Sequence, residues 1–294
     1  MSSVIVSGFF VGLVYGLLGV GFAIVYRGSR VVNFAYGETG MVAAMIFADL
    51  RFGRGGVVGG GSVDHGLIVA LPVAIAAAIV IGGATELVVA RPLRNSPRVQ
   101  VLVGTLAVGS LLYAFAVHRW GTEPRLVQPL VNGKGVRFGG VLVSPEQLLI
   151  LATAVVALVG LLLAYRFTPF GLRMRATALD PYAAGLVGVN VNLTSMVTWA
   201  IAGGFAGVCA ILIAPSGSFD TSFMVGLTVR GLAAALVGGL SSISGAFIAG
   251  VVIGVAEAVI AFKSPVSGIT DLVIACGVLL LLSVRPSGLM RSAY

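Results

Sequence analysis

Val4-Ile-Val-Ser-Gly-Phe-Phe-Val-Gly-Leu-Val-Tyr-Gly-Leu-Leu-Gly-Val-Gly-Phe-Ala-Ile-Val-Tyr26 runs for 23 residues without a charge. As a helix it is about 34 Å long, enough to cross the ~30 Å hydrocarbon core of a bilayer. It is too long for the apolar part of a signal peptide, and neither a basic leader nor a clear cleavage site accompanies it, so it reads as a first membrane span. Within it Gly8, Gly12 and Gly16 recur every fourth residue, and Gly250 and Gly254 repeat the spacing far along the chain. Such ridges let helix backbones approach closely. They serve packing within the chain or, alternatively, a seam between two symmetry-related copies.

The rest of the chain follows the same pattern. Apolar residues make up 58% and charged residues 10%, with a mean hydropathy of +1.09; a soluble domain carries about 25% charged residues. The 42 glycines are about twice the usual ~7%. Eight further apolar runs follow: Glu38–Leu50, Gly66–Val89, Val99–Val117, Pro145–Tyr165, Leu193–Ala214, Val225–Leu240, Gly245–Phe262 and Ile269–Val284. The expectation is an all-α fold: a polytopic transmembrane helix bundle of eight or nine membrane segments, short or broken helices included, forming a single domain over residues 1–294. Glu38–Leu50 covers only about 20 Å as a helix, so it must extend back through Asn33–Gly37, tilt, or be re-entrant. Gly238–Gly245 breaks the stretch from Val225 to Phe262 as a tight turn or a broken helix.

The net charge of +8 does not indicate nucleic acid, because the basic residues lie between apolar runs rather than on one soluble face. They orient the spans. With the N-terminus outside and Val225–Phe262 making two passes, Arg27, Arg30, Arg91, Arg94, Arg98, Arg166, Arg173, Arg175, Arg285 and Arg291 lie inside and abut span ends, against Arg51, Arg54, Arg119, Arg125, Lys134, Arg137 and Lys263 outside. Two longer outside loops, Arg51–His65 and Arg119–Ser144, remain. The first is Gly-rich and expected to be mobile; the second is expected to hold a small strand or a re-entrant cap. Cys209 and Cys276 fall inside apolar runs and read as buried structural thiols. Gly133-Lys134 lacks the rest of a Walker A loop, and neither His-Glu-x-x-His nor Gly-x-Ser-x-Gly occurs. Nothing here points to an enzyme or to a bound cofactor or metal. A chain of this kind that moves solute with ATP needs a partner to hydrolyse it.

The most informative hydrophilic stretch is Arg166–Asn190, inside, between the fifth and sixth runs. Thr168-Pro169-Phe170-Gly171 reads as a turn. Asp180-Pro181 is an N-cap followed by proline at the first helical position. Pro181–Val187 would make two turns, about 10 Å long, with Gly188 as the stop. Residues 168–189 therefore hold a short amphipathic helix on the membrane face, either a connector or a coupling helix that docks into a groove on a cytoplasmic ATPase. In the second case Arg173, Arg175, Asp180, Pro181, Tyr182, Ala183, Gly185, Leu186 and Gly188 would make the contact.

Three stretches resemble the permease subunits of branched-chain amino acid ABC importers, a group that also includes urea permeases. Gly16–Tyr26 runs into Arg30-Val-Val-Asn-Phe-Ala-Tyr-Gly-Glu38, similar to the family's Arg-Ile-Ile-Asn-Phe-Ala-His-Gly-Asp/Glu signature. The stretch just described resembles its Arg-Ala…Asp-Pro…Ala…Gly pattern. Ala233–Glu257 is similar to its Gly-Gly…Gly-Ala…Gly…Gly…Glu run. Tyr36 stands for the usual His, Ser244 for Pro, and Arg230 for Lys or a neutral residue. These departures bear on the solute rather than on the fold. The resemblance covers nearly the whole chain. It implies a non-catalytic, multi-pass permease of the bacterial cytoplasmic membrane, embedded in lipid. It also implies two cytoplasmic ATPase subunits that bind ATP and Mg, a second permease, related or identical, and an extracytoplasmic solute-binding protein. Branched-chain or related amino acids are the implied solutes, with urea or another small solute the alternative. A stand-alone channel or secondary transporter, or a structural scaffold, is the reading from other classes.

Polar residues within the runs mark the expected path. A carboxylate at span depth costs about 2.5–3.5 kcal/mol on insertion scales, so it faces a cavity or a partner. Asn33, Tyr36 and Glu38 form a cluster that reads as a gate on the solute path or, alternatively, as a helix cap at the interface. Glu257 reads as a gate, solute contact or buried anchor, or else as a span-end residue. Arg230 and Asp271 each need a counter-charge and are expected to pair. Glu86 and Arg91 read as interfacial.

Overall fold

The structure is a computed structural model that describes residues 1–53, 66–131, 133, 135–138, 141–264, 268–285 and 288–290. The expectation of a mobile Gly-rich stretch after Arg51 falls largely on residues outside this set. The described chain is helical: α1 (Ser2–Ser29), α2 (Tyr36–Phe52), α3 (Gly66–Thr85, continued by a π-helical turn Glu86–Ala90), α4 (Arg98–Trp120), α5 (Pro145–Phe167), α6 (Pro169–Leu179), α7 (Pro181–Leu186), α8 (Val191–Ile213, ending in a 3₁₀ turn Ala214–Ser216), α9 (Phe223–Gly238), α10 (Ile243–Lys263) and α11 (Ile269–Val284). Among the described residues, α1, α3, α4, α5, α8 and α10 are long and apolar enough to cross a membrane, and α9 and α11 are shorter apolar helices. All nine apolar runs are helices, because lipid offers the backbone no hydrogen bonds and a helix satisfies its own. The protein is a multi-pass helical membrane protein.

Local sequence sets many helix starts. Asp180, Asn190 and Ser242 accept hydrogen bonds from backbone N–H groups one turn into α7, α8 and α10. Ser144 and Gln147 form a reciprocal capping box at α5, at 2.9 and 3.2 Å. The stretch from Thr168 to Gly171 departs from the expected turn. Thr168 Oγ1 instead accepts from Gly171 N at 3.2 Å and caps a further helix, α6, with Pro169 at its first position. Both a turn and a helix start tolerate proline's fixed φ there, and the apolar Phe170-Gly171-Leu172 does not distinguish them.

The chain divides into two compact units. One comprises Met1–Ala23, Leu130–Leu162 and Thr228–Tyr294. Its centre is the crossing of α1 and α10. A methyl group at Gly12 would lie 2.8 Å from Val251 Cα, and one at Gly16 2.7 Å from the Phe247 carbonyl oxygen. Reciprocally, Gly250 faces the backbone of Gly16 and Gly254 that of Gly12. The two glycine ridges thus interlock within one chain, and the backbones touch where a larger residue would hold them apart. The break between α9 and α10 is a tight turn with Gly239 at φ +94°, closed by Ser242. The last carbonyls of α9, Val237 and Gly238, accept from Leu289 N and Met290 N at 2.9 and 3.3 Å. The outer loop of this unit carries an antiparallel pair of strands, β2 (Val136–Phe138) and β3 (Val141–Val143), where a small strand was expected.

The other unit comprises Ile24–Pro129 and Leu163–Leu227. Here α2, α3 and α8 pack on one another. The buried edge of α3 is Ala70, Ala74, Ala78 and Gly82, at four-residue spacing. Gly82 meets the Trp199 carbonyl and Gly203, and Gly207 meets Ala78 and Ala43. Small residues therefore mark each close helix contact, while the outer faces are apolar and exposed, as at Ile68, Val80 and Leu111. At one end of α2, Asp49 accepts from Trp120 Nε1 at 2.7 Å and from Arg125 at 3.3 Å, with Arg119 at 3.4 Å. There β1 (Arg125–Leu126) pairs antiparallel with β4 (Ser218–Phe219).

Glu86 departs from the interfacial reading. It is fully buried and pairs with Arg91 at 3.0 Å and Arg94 at 3.3 Å. The π-helical turn draws the acid inward, and the two guanidiniums satisfy it there.

Candidate functional site: an exposed helix pair and a mid-depth cleft

α6 and α7 form a helix pair between α5 and α8. Its inner side is Gly171, Met174, Thr177 and Ala184, all buried. Gly171 is pressed against the backbone of Tyr165, and both helices pack on α8. Asp180 Oδ1 accepts from Tyr182 N and Ala183 N at 2.9 and 3.1 Å. The far end of α7 closes through Gly188 at φ +86°, with Gly188 N donating to Gly185 O and Val189 N to Ala184 O, at 3.1 and 3.0 Å. That is a Schellman stop, in which glycine takes the left-handed conformation at no steric cost. The helix ends at Leu186, one residue short of expectation. Arg173, Arg175, Asp180, Pro181, Tyr182, Ala183, Gly185, Leu186 and Gly188 are all exposed. Leu179, Tyr182, Leu186 and Val187 are between 63% and 79% exposed. They form an apolar knob on a segment that carries Arg173, Arg175 and Asp180 and whose two helices, of 11 and 6 residues, are each too short to span a membrane.

The base of this pair is pinned to the bundle. Arg30 donates to the carbonyl of Ala178, in the last turn of α6, at 2.7 Å, where a cation also suits the negative end of the helix dipole. Arg30 adopts φ +57°, the only non-glycine residue with positive φ among those described. The Arg27 guanidinium lies 4.4 Å from the Tyr165 ring centroid. Beyond α7, Arg94 donates to Asn192 Oδ1 at 2.6 Å and so joins the start of α8 to Glu86.

Arg30 opens the stretch that ends at Glu38. Asn33 is buried and its Oδ1 accepts from Ala35 N at 3.0 Å; Phe34 N donates to Thr105 Oγ1 at 3.2 Å. These bonds satisfy irregular backbone at membrane depth. α2 therefore extends back only to Tyr36, which is buried, and its start lies beside Thr105 and Gly109, close to the midpoint of α4. No side chain caps it. Glu38, in its first turn, lines a cleft of about 340 Å³ with Phe34, Leu106, Gly109, Ser110, Tyr113, Ser222 and Val225. A methyl group on Gly109 would lie 3.6 Å from Glu38 Oε2. Asn33 thus lies on the connector and Tyr36 and Glu38 in the first turn of α2, and of the three Glu38 lines the cleft.

Glu257 lies in the other unit. Both its oxygens accept from Arg230 Nε, at 2.9 and 3.0 Å, and Arg230 also reaches Asp271 at 2.7 Å. The expected Arg230–Asp271 pair exists, but Arg230 is shared with Glu257. The bidentate contact neutralises and orients the Glu257 carboxylate. Among the described residues no group of three or more His, Cys, Asp or Glu could hold a metal ion. Cys209 is buried, but Cys276, expected to be buried, is exposed, on a helix with no buried residue. Sequence reasoning missed Thr105, Ser110 and Tyr113. The stripe Leu106, Gly109, Ser110, Tyr113 at helical spacing was legible as one face of α4, but its neutral residues did not stand out in an apolar run.

The branched-chain amino acid transport system permease component family matches residues 4–283. The high-affinity branched-chain amino acid transport system permease protein BraD of Pseudomonas aeruginosa is 30% identical over 297 residues, covering 97% of this chain and 94% of its own length. LivH of Escherichia coli K12, of the same description, is 29% identical over 300 residues, covering 97% and 93%. The probable LivH of Methanocaldococcus jannaschii is 27% identical over 256 residues, covering 84% and 76%. No solved structure matches the chain. The chain therefore belongs to the permease component family of branched-chain amino acid transport systems.

Proposed function

We propose that this chain is the membrane-spanning subunit of an ATP-driven importer of branched-chain or related amino acids, and that α6 and α7 are its docking element for a cytoplasmic ATPase. The observation that carries the reading is the exposed knob of Leu179, Tyr182, Leu186 and Val187 on a capped and pinned helix pair. A short helix with both ends closed and its base tied down transmits force rather than melting under load. The similarity to branched-chain amino acid permeases supports the amino acid solute. ATP and Mg belong to two partner ATPases, a second permease completes the translocation unit, and an extracytoplasmic binding protein delivers the solute.

In this reading, ATPase closure moves α6 and α7, Arg30 carries the movement from Ala178 into the connector, and the connector repositions Tyr36 and Glu38 on the solute path. Glu257, held by Arg230, keeps α9 and α10 in register. The work is gating, and it is driven by the difference in binding energy between two states of access. Reconstitution tests it. Proteoliposomes holding both permeases, both ATPases and the binding protein should accumulate labelled leucine only with ATP inside. Leucine transport at the same rate by the permeases without ATPase subunits would overturn the proposal.

A further inference from the structure

We propose that the Glu38 cleft is the intramembrane subsite for a zwitterionic amino acid, with Glu38 receiving the solute's ammonium group; this rests on the importer reading above. Three short stripes build the cleft: Phe34 and Glu38, then Leu106, Gly109, Ser110 and Tyr113, then Ser222 and Val225. Leu106–Tyr113 occupies the middle third of the 23-residue span α4. Glu38 is therefore level with the middle of a membrane-crossing helix. A carboxylate at that depth is costly unless it faces a polar path or a counter-charge. Among the described residues no Lys or Arg lies within 4.0 Å of Glu38, whereas Asp49, Glu86, Glu257 and Asp271 each have an arginine partner. Glu38 has no such fixed cation, and it lines a cleft.

The other walls match the remainder of such a solute. Ser110 and Tyr113 present hydroxyl groups on the same face of α4 as Glu38's neighbour Gly109, and they can donate to a solute carboxylate. Ser222 already donates its hydroxyl proton to Asp220 at 2.7 Å. Phe34, Leu106 and Val225 supply apolar surface for an aliphatic side chain. Gly109 borders the Glu38 carboxylate, since a methyl there would lie in van der Waals contact with Oε2 at 3.6 Å. A volume of about 340 Å³ suits a small amino acid with some water. A neutral solute such as urea would leave the Glu38 charge uncompensated.

Cysteine modification reads the charge of the cleft directly. In the assembled transporter carrying Cys276→Ser, Ser110→Cys would be labelled with cationic aminoethyl methanethiosulfonate and with its anionic sulfonatoethyl counterpart. The ratio of the two rates should fall roughly tenfold when Glu38→Gln is added, as removal of one nearby unit charge requires. Leu106→Cys, one turn away on the same face, repeats the measurement should Ser110→Cys not fold. In ATP-driven uptake, Glu38→Gln should lower leucine import at least tenfold and Glu38→Asp should restore part of it. An unchanged rate ratio, or leucine import by Glu38→Gln at the unaltered rate, overturns the inference. The labelling rates need no ATP, so failure of this inference is distinguishable from failure of the importer reading, which would appear as no ATP-dependent uptake by the unaltered complex.

Discussion

Replacing Asp180 with alanine isolates the contribution of one helix cap to the energy coupling proposed for α6 and α7. Asp180 holds two N–H groups of α7, at 2.9 and 3.1 Å, and α7 has only six residues. A helix that short does not form on its own, because nucleation outweighs the few bonds it gains. Its order depends on the cap, the Schellman stop and one buried side chain, Ala184. Loss of an Asp cap costs about 1 kcal/mol, or roughly a fivefold shift toward the unformed segment. Hydrogen exchange at the amides of residues 182–186 should accelerate by about that factor. Leucine imported per ATP hydrolysed should fall in step with the lost fraction of formed α7, because an unformed knob cannot transmit closure. Asp180→Asn keeps an Oδ1 acceptor and should stay within a few tenths of a kcal/mol of the unaltered chain. Equal exchange and equal coupling in the alanine variant would refute the reasoning. Equal loss in both variants would show that charge, not capping, is what the ATPase reads.

Two further outcomes follow from close contacts. Gly12→Ala places a methyl group 2.8 Å from Val251 Cα and should destabilise the detergent-solubilised protein by about 1–3 kcal/mol, whereas Gly160→Ala, where nothing lies within 4 Å, should leave the melting temperature unchanged or raised. Arg30→Ala and Arg30→Gly both remove the bond to Ala178, so both should uncouple ATP hydrolysis from uptake; but at φ +57° the glycine variant should be the more stable of the two by about 1 kcal/mol in thermal melts.

The sequence by itself determined the membrane class and the positions of the nine apolar helices. Lipid demands continuous apolar surface and a backbone that satisfies itself, and both conditions are local. Local chemistry also placed the Asp180-Pro181 start and the Gly188 stop. It misread Thr168-Pro169, because the same residues open a turn or a helix and only the contacts of Gly171 and Met174 with the rest of the unit select the helix. The glycine ridges were legible as contact surfaces, but which helix each met was not, since small residues permit an approach without naming a partner. Tertiary structure decided the pairing of charges. Arg230 serves Glu257 as well as Asp271, Glu86 is drawn inside by two arginines, and Arg30 bonds to a carbonyl 148 residues away. Above all it decided the depth of Glu38. A short second run could have spanned, tilted or turned back, and only the contacts of Phe34 and Ala35 with Thr105 and Gly109 set the start of α2 beside the middle of α4. Electrostatic interactions between distant residues and the depth of a helix start depend on the assembled fold, and no window of sequence contains them.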